Sequence, residues 1–145
     1  MTSGVAEETA RPRNLLQSIS ALFAGFVVNV ALSLGTDVML HAIGVTPALG
    51  QPQTDPQLLL ATAYRIVYGI LSSYVVARLA PNRPMGHAVL GGAIGMALGT
   101  AGAAATWNKE LGPHWYPLAL IVTALPSAWV GVKLRELQMR KSETN

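Results

Sequence analysis

Apolar residues fill four long stretches of the chain, and polar residues, prolines and glycines separate them. The stretches cover residues 15–43, 58–79, 85–106 and 116–134. Each is long enough to cross a hydrocarbon core, which needs about 20 helical residues. None alternates apolar and polar positions along its length as a half-buried strand does. In lipid, the backbone hydrogen bonds of such stretches must be made within the protein, and long apolar stretches make them as helices. The pattern therefore predicts an all-α integral membrane four-helix bundle, formed as one domain over residues 1–145.

The first stretch also has features of a secretory signal peptide, because Arg11 and Arg13 precede its apolar run. The run is longer than the 7 to 15 residues of a usual signal peptide core, and no Ala-x-Ala cleavage site ends it. We therefore expect the first helix to be retained in the protein.

Basic residues predict how the bundle is oriented, because they concentrate in cytoplasmic segments. With four spans, the N-terminal segment, the link after the second span and the basic tail 135–145 all lie on one side. Eight basic residues lie on that side or at its boundary: Arg11, Arg13, Arg78, Arg83, Lys133, Arg135, Arg140 and Lys141. The other side carries only Lys109. We expect both termini in the cytoplasm, as in a multi-pass bacterial inner-membrane protein.

A polar stripe runs along the first two helices. It contains Asn29, Ser33, Asp37 and His41, spaced four residues apart, and it continues on the second helix with Arg65, Tyr68 and Ser72. Residues three or four apart share a helix face. Asp37 lies about 10 Å from its end of the first helix and Arg65 about 12 Å from the adjacent end of the second. The matching depth predicts an Asp37–Arg65 ion pair, with Tyr68 and His41 as hydrogen-bond neighbours.

Two interpretations of this polar cluster compete. Ionisable groups inside a membrane often mark a substrate or proton pathway. Alternatively, polar pairs fix the register of neighbouring helices. The chain has one acidic residue within the spans, and it lies near one end, which favours the helix clamp. The spacing of His, Asp and Glu residues indicates no metal site.

A second stripe consists of small residues on the third helix, at Gly91, Gly95, Gly99 and Ala103. Such a glycine zipper lets two helix backbones approach closely. It predicts a helix-packing face, either within the bundle, which we favour, or between two copies of the chain.

Composition supports membrane residence and limits the chemistry. The chain is 51% hydrophobic and 12% charged, with a mean hydropathy of +0.39. It lacks cysteine, so disulfides, thiolate metal sites and cysteine nucleophiles are excluded. Since no nucleophile–base set is apparent either, we expect no enzymatic activity and no cofactor. The expected partners are the lipid bilayer and either a second copy or another membrane protein, and nucleic acid is not among them.

The segment 63–95 resembles a stretch of small uncharacterised bacterial four-helix inner-membrane proteins. The matching positions are Tyr64, Arg65, Ala77, Arg78, Leu79, Ala80, Pro81, Pro84, Met85, His87 and Ala88. The resemblance covers about a quarter of the chain and implies a membrane protein without a known activity. Small multidrug transporters and fluoride channels fit poorly, because their glutamate and their asparagine and phenylalanine motifs are missing. We therefore expect a structural or accessory role, with a small transporter or channel that uses the polar stripe as the alternative.

Overall fold

All four predicted stretches are helical. The structure, a computed structural model, describes residues 3–48 and 50–143, with side chains from residue 14 onward. Its helices are α1 (Ser3–Ala42), α2 (Asp55–Leu79), α3 (Pro84–Thr106) and α4 (Trp115–Glu143). The described residues contain no strand, and each helix is long and apolar enough to cross a membrane. The predicted all-α four-helix membrane architecture is confirmed.

Two helices are longer than their apolar stretches. α1 begins at Ser3 rather than near residue 15, and α4 continues to Glu143 rather than ending near residue 134. Alanine, glutamate, arginine and lysine in these ends are good helix formers, but hydropathy detects only the apolar part of a helix. The predicted tail 135–145 is therefore helical as far as Glu143, and its last two residues lie outside the described part.

The distribution of side-chain sizes is that of a membrane bundle. The buried positions hold mainly small residues, and Val132 is the largest fully buried side chain of the described part. Large apolar side chains face outward, as at Phe23, Val67 and Val122. In a membrane these side chains contact lipid, whereas the small residues let the helices pack closely.

α2 lies at the centre of the bundle and contacts the other three helices. α1 packs mainly against α2 and has only a small contact with α3. Glycine permits the closest approach of α4 to α2, because a Cβ atom at Gly131 would lie 2.8 Å from the backbone nitrogen of Tyr74.

The two ends of the bundle differ in structure. We call the end that carries the connections 43–54 and 107–114 the loop end, and the end that carries both termini and the link 80–83 the terminal end. At the loop end the two connections are joined by a hydrogen bond of 3.2 Å from the Gln53 nitrogen to the Leu111 oxygen. Trp115 Nε1 donates to Asp55 Oδ1 over 2.8 Å, which ties the start of α4 to the start of α2. The loop end is therefore a connected cover over the helices.

Candidate functional site

Asp37 of α1 and Arg65 of α2 form an ion pair, as the matching depths predict. Arg65 Nη2 donates to Asp37 Oδ2 over 2.7 Å. The Arg65 side chain retains 29% of its exposure and that of Asp37 13%. Helix α1 runs towards the loop end and α2 runs away from it. Two residues that lie a similar number of positions from that end are therefore at a similar depth in the bundle. The pair is thus partly shielded and still reachable.

Two tyrosines complete the surroundings of this pair. The Tyr64 hydroxyl donates to Asp37 Oδ1, and the Tyr116 hydroxyl accepts a hydrogen bond from Arg65 Nη1. The guanidinium carbon also lies 5.9 Å from the Tyr64 ring centre and 5.7 Å from that of Tyr116, within range of a cation–π interaction. We call Asp37, Tyr64, Arg65 and Tyr116 the ion-pair network. It joins α1, α2 and α4.

The two residues expected as neighbours of the ion pair lie elsewhere. Tyr68 shares a hydrogen bond of 2.7 Å with Thr36. His41 Nδ1 lies 3.3 Å from the carbonyl oxygen of Thr46, in the connection after α1. Tyr68 lies one turn deeper than Tyr64, so its hydroxyl meets α1 at Thr36 instead of at the carboxylate. The expectation of direct contacts from Tyr68 and His41 to the pair is therefore wrong.

Little in the sequence indicated that Tyr64 and Tyr116 contact the ion pair. Tyr64 immediately precedes Arg65, and adjacent helix residues do not face each other, so spacing did not favour it. Tyr116 had the appearance of an aromatic interface residue at the end of its span. Since consecutive spans are antiparallel, the start of α4 lies at the same end of the bundle as Asp37 and Arg65. This shared end could have identified Tyr116 as a partner of the ion pair.

A cavity of about 410 Å³ lies at the loop end and reaches the ion pair. All four residues of the ion-pair network contribute to its lining. Residues from both loop-end connections, such as Gln53 and His114, also line it. The ion pair is therefore accessible from a sizeable space beneath the loop-end cover. We call this space the loop-end cavity.

A second cavity of about 340 Å³ lies further towards the terminal end. The remaining polar-stripe residues Asn29, Ser33 and Ser72 line it, and so does Arg65. Ser72 Oγ donates to the carbonyl oxygen of Gly69 over 3.0 Å. Among the described residues, the buried Asn29 Oδ1 and Arg65 Nε atoms have no hydrogen-bond partner. Arg65 thus borders both cavities, and two of the residues that line the second one carry a buried polar atom without a partner.

The small-residue stripe of α3 faces space more than it faces another backbone. A Cβ atom at Gly91 or Gly99 would make ordinary contacts of 3.4 Å, with Leu22 and Ile121 respectively. At Gly95 a Cβ atom would meet nothing within 4 Å in the described part of the chain.

The glycines of this stripe line the second cavity, and Gly99 and the buried Ala103 line the loop-end cavity. The tight approach of α3 occurs at the neighbouring Gly92, where a Cβ atom would lie 3.0 Å from the Cβ atom of Ala128. Within the bundle, α4 therefore lies against the side of α3 next to the stripe, and a packing face between two copies of the chain stays a prediction.

Metal binding has no evident basis in the described residues. No group of three or more His, Asp or Glu side chains there could hold an ion.

Comparison of the chain with protein-family models, curated proteins and solved structures found no match.

Proposed function

We propose that this chain is a small transporter or channel that passes a small solute between the loop-end cavity and the second cavity. The observation that carries the proposal is the position of Arg65, which lines both spaces. Its guanidinium is held on the loop-end side by Asp37 and Tyr116. Gly99 and Leu120 also line both spaces, but Arg65 is the long charged side chain among the three. Its movement would therefore change the connection between the two cavities.

The cavities favour passage over a purely structural ion pair. A helix clamp needs two matched groups and close packing, and it needs no space around them. Here about 410 Å³ lies on one side of Arg65 and about 340 Å³ on the other. Glycines occupy much of the α3 wall, where larger residues would fill the space. Ionisable groups that border a cavity inside a membrane are commonly part of a pathway.

We further propose that the loop end faces outward across a bacterial inner membrane and that both termini are cytoplasmic. Eight basic residues lie at or near the terminal end, against Lys109 alone at the loop end. Trp107 and Trp115 lie at the loop end, where amphipathic rings fit the membrane interface. The loop-end cavity would then open towards the periplasm.

A structural or accessory role is the second candidate, and the ion-pair network favours it. One arginine links three helices through two hydrogen bonds and two ring contacts. An accessory protein would use this network to hold a rigid surface for another membrane protein. Purification in mild detergent should then recover one stoichiometric partner whose binding is lost when exposed residues of α1 are substituted.

Water access to the cavities separates the two candidates. Because the chain has no cysteine, single cysteines can be introduced without background. Gly102→Cys tests the loop-end cavity and Ser33→Cys the second cavity. Val67→Cys is the matched control, since its side chain is 58% exposed on α2 and lines neither cavity.

A passage function predicts that a membrane-impermeant maleimide labels both cavity positions in reconstituted vesicles, whereas Val67→Cys stays unlabelled in lipid. If Ser33→Cys and Gly102→Cys label no faster than Val67→Cys, the cavities are dry, and the accessory role is supported instead.

A further inference from the structure

We infer that the solute is a small neutral molecule that carries both hydrogen-bond donors and an acceptor, such as a polyol or an amide. This inference rests on the proposed passage function and specifies its substrate class. It follows from the charge, the hydrogen-bonding groups and the space of the second cavity.

The charge of the pathway favours a neutral solute. Within the described part of the chain, Asp37 and Arg65 are the only aspartate, glutamate, lysine or arginine residues that line the two cavities. They neutralise each other at 2.7 Å. An ion of either sign would therefore bring an uncompensated charge into a low-dielectric space, which is strongly unfavourable. A neutral solute avoids this cost.

Several groups in the walls of the second cavity offer acceptors. Three hydroxyls that line it donate their protons to carbonyl oxygens of their own helices: Ser72 to Gly69, Thr123 to Ala119 and Ser127 to Thr123. Each keeps oxygen lone pairs that can accept a hydrogen bond. The buried Asn29 Oδ1 has no donor among the described residues. A solute that brings its own N–H or O–H groups would satisfy the hydroxyl oxygens, and it would satisfy the Asn29 oxygen after rotation of that side chain.

One residue that lines the same cavity carries a donor, which requires an acceptor. Arg65 Nε is a buried donor without a partner in the described residues. Leaving a buried donor unpaired is costly. Because Nε is not exposed to the cavity, an acceptor oxygen of the solute would reach it once the Arg65 side chain moves, as the proposed passage requires. A hydroxyl or an amide supplies a donor and an acceptor in one group, whereas an anion without protons would leave the Asn29 oxygen unsatisfied.

The α3 wall gives the space and also a way to close it. Gly95 lines the second cavity, and a Cβ atom there would meet nothing within 4 Å in the described part. A Cβ atom can therefore be added there without a clash, and we expect the longer side chain of leucine to take up part of the cavity. Gly35 on α1 provides the control, because it is equally unobstructed and lines neither cavity.

Three planar solutes of similar size and shape but different charge test the substrate class. Urea is neutral, guanidinium is a cation and nitrate is an anion. Their entry into proteoliposomes of the full chain is followed by stopped-flow light scattering, with a protonophore present to dissipate any membrane potential. The same measurement is made on Gly95→Leu, Gly35→Leu and protein-free liposomes.

We expect urea to enter at least about tenfold faster than either ion. The free energy needed to place a charge within a membrane is larger than that which corresponds to a tenfold difference in rate. Gly95→Leu should reduce urea entry to near the rate of protein-free liposomes, and Gly35→Leu should leave it unchanged. Faster entry of guanidinium or nitrate than of urea, sensitive to Gly95→Leu, would overturn the neutral class and leave the passage function standing. If no solute exceeds protein-free liposomes, the passage function is wrong, and the inference is wrong with it.

Discussion

Arg65 of α2 donates a hydrogen bond to the Tyr116 hydroxyl at the start of α4, although the two residues are 51 positions apart in the chain. The same guanidinium binds Asp37 of α1 through its other terminal nitrogen. One side chain therefore connects three helices beneath the loop-end cover. Because Arg65 also borders the second cavity, any change in its contacts would alter both the stability of the bundle and access between the cavities.

The ion pair should show strong energetic coupling. Asp37→Asn or Arg65→Gln leaves the remaining charge without its partner, and we expect each to lower the free energy of unfolding in detergent by about 2–4 kcal/mol. The double variant should cost less than the sum of the two, with a coupling of about 1–3 kcal/mol. Simple additivity of the two single costs would contradict a direct interaction.

The tyrosines of the network should matter more than a tyrosine outside it. Tyr116→Phe removes the acceptor of a hydrogen bond from a charged group and should destabilise the bundle by about 1.5–3 kcal/mol. Tyr74→Phe is the matched control, because Tyr74 bonds to Gln138 at an exposed position, and its loss should cost below about 1 kcal/mol. Thermal unfolding in the same detergent measures both, and equal effects of the two substitutions would argue against a special role for Tyr116.

Helix packing should depend on Gly131 and not on every glycine. A Cβ atom at Gly131 would lie 2.8 Å from both Ser73 Cβ and Tyr74 N, so Gly131→Ala must separate α4 from α2. We expect a loss of about 1–3 kcal/mol, as for other overpacked sites. Gly35→Ala meets no neighbour in the described part, and its better helix propensity should make it neutral or stabilising by up to about 1 kcal/mol. A stable Gly131→Ala bundle would show that α2 and α4 are packed less closely.

The proposed orientation predicts which end of the bundle an external reagent reaches. In intact bacterial cells, Gln53→Cys should react with a membrane-impermeant maleimide, whereas Gln138→Cys should react only after the cells are opened. Gln53 lies in a loop-end connection, and Gln138 lies in the helical end that follows the last span. The reverse labelling pattern would show that the bundle has the opposite orientation, with the loop-end cavity facing the cytoplasm.

The sequence predicted the helices and the ion pair for identifiable reasons. Long apolar stretches separated by prolines and glycines have few alternatives to helices in lipid. Asp37 and Arg65 could be paired by counting residues from a shared end, because helical rise is regular.

The rest depended on how the helices are rotated about their axes. Counting gives depth along a helix, but the partner that a side chain meets also depends on helix rotation and on which helix lies next to it. This is why Tyr68 was expected beside the ion pair and instead contacts Thr36. Similarly, a small-residue stripe does not show whether a backbone or a cavity lies opposite, and Gly95 faces open space.

The central claim is that Arg65 controls passage between the loop-end cavity and the second cavity. It is tested most directly by the rate at which an external impermeant maleimide labels Ser33→Cys, with Arg65 intact and with Arg65→Gln. Removing the charged side chain from the boundary should raise the labelling rate of Ser33→Cys severalfold, while Gly102→Cys in the loop-end cavity labels equally in both backgrounds. An unchanged or slower rate at Ser33→Cys in the Arg65→Gln protein would contradict the claim.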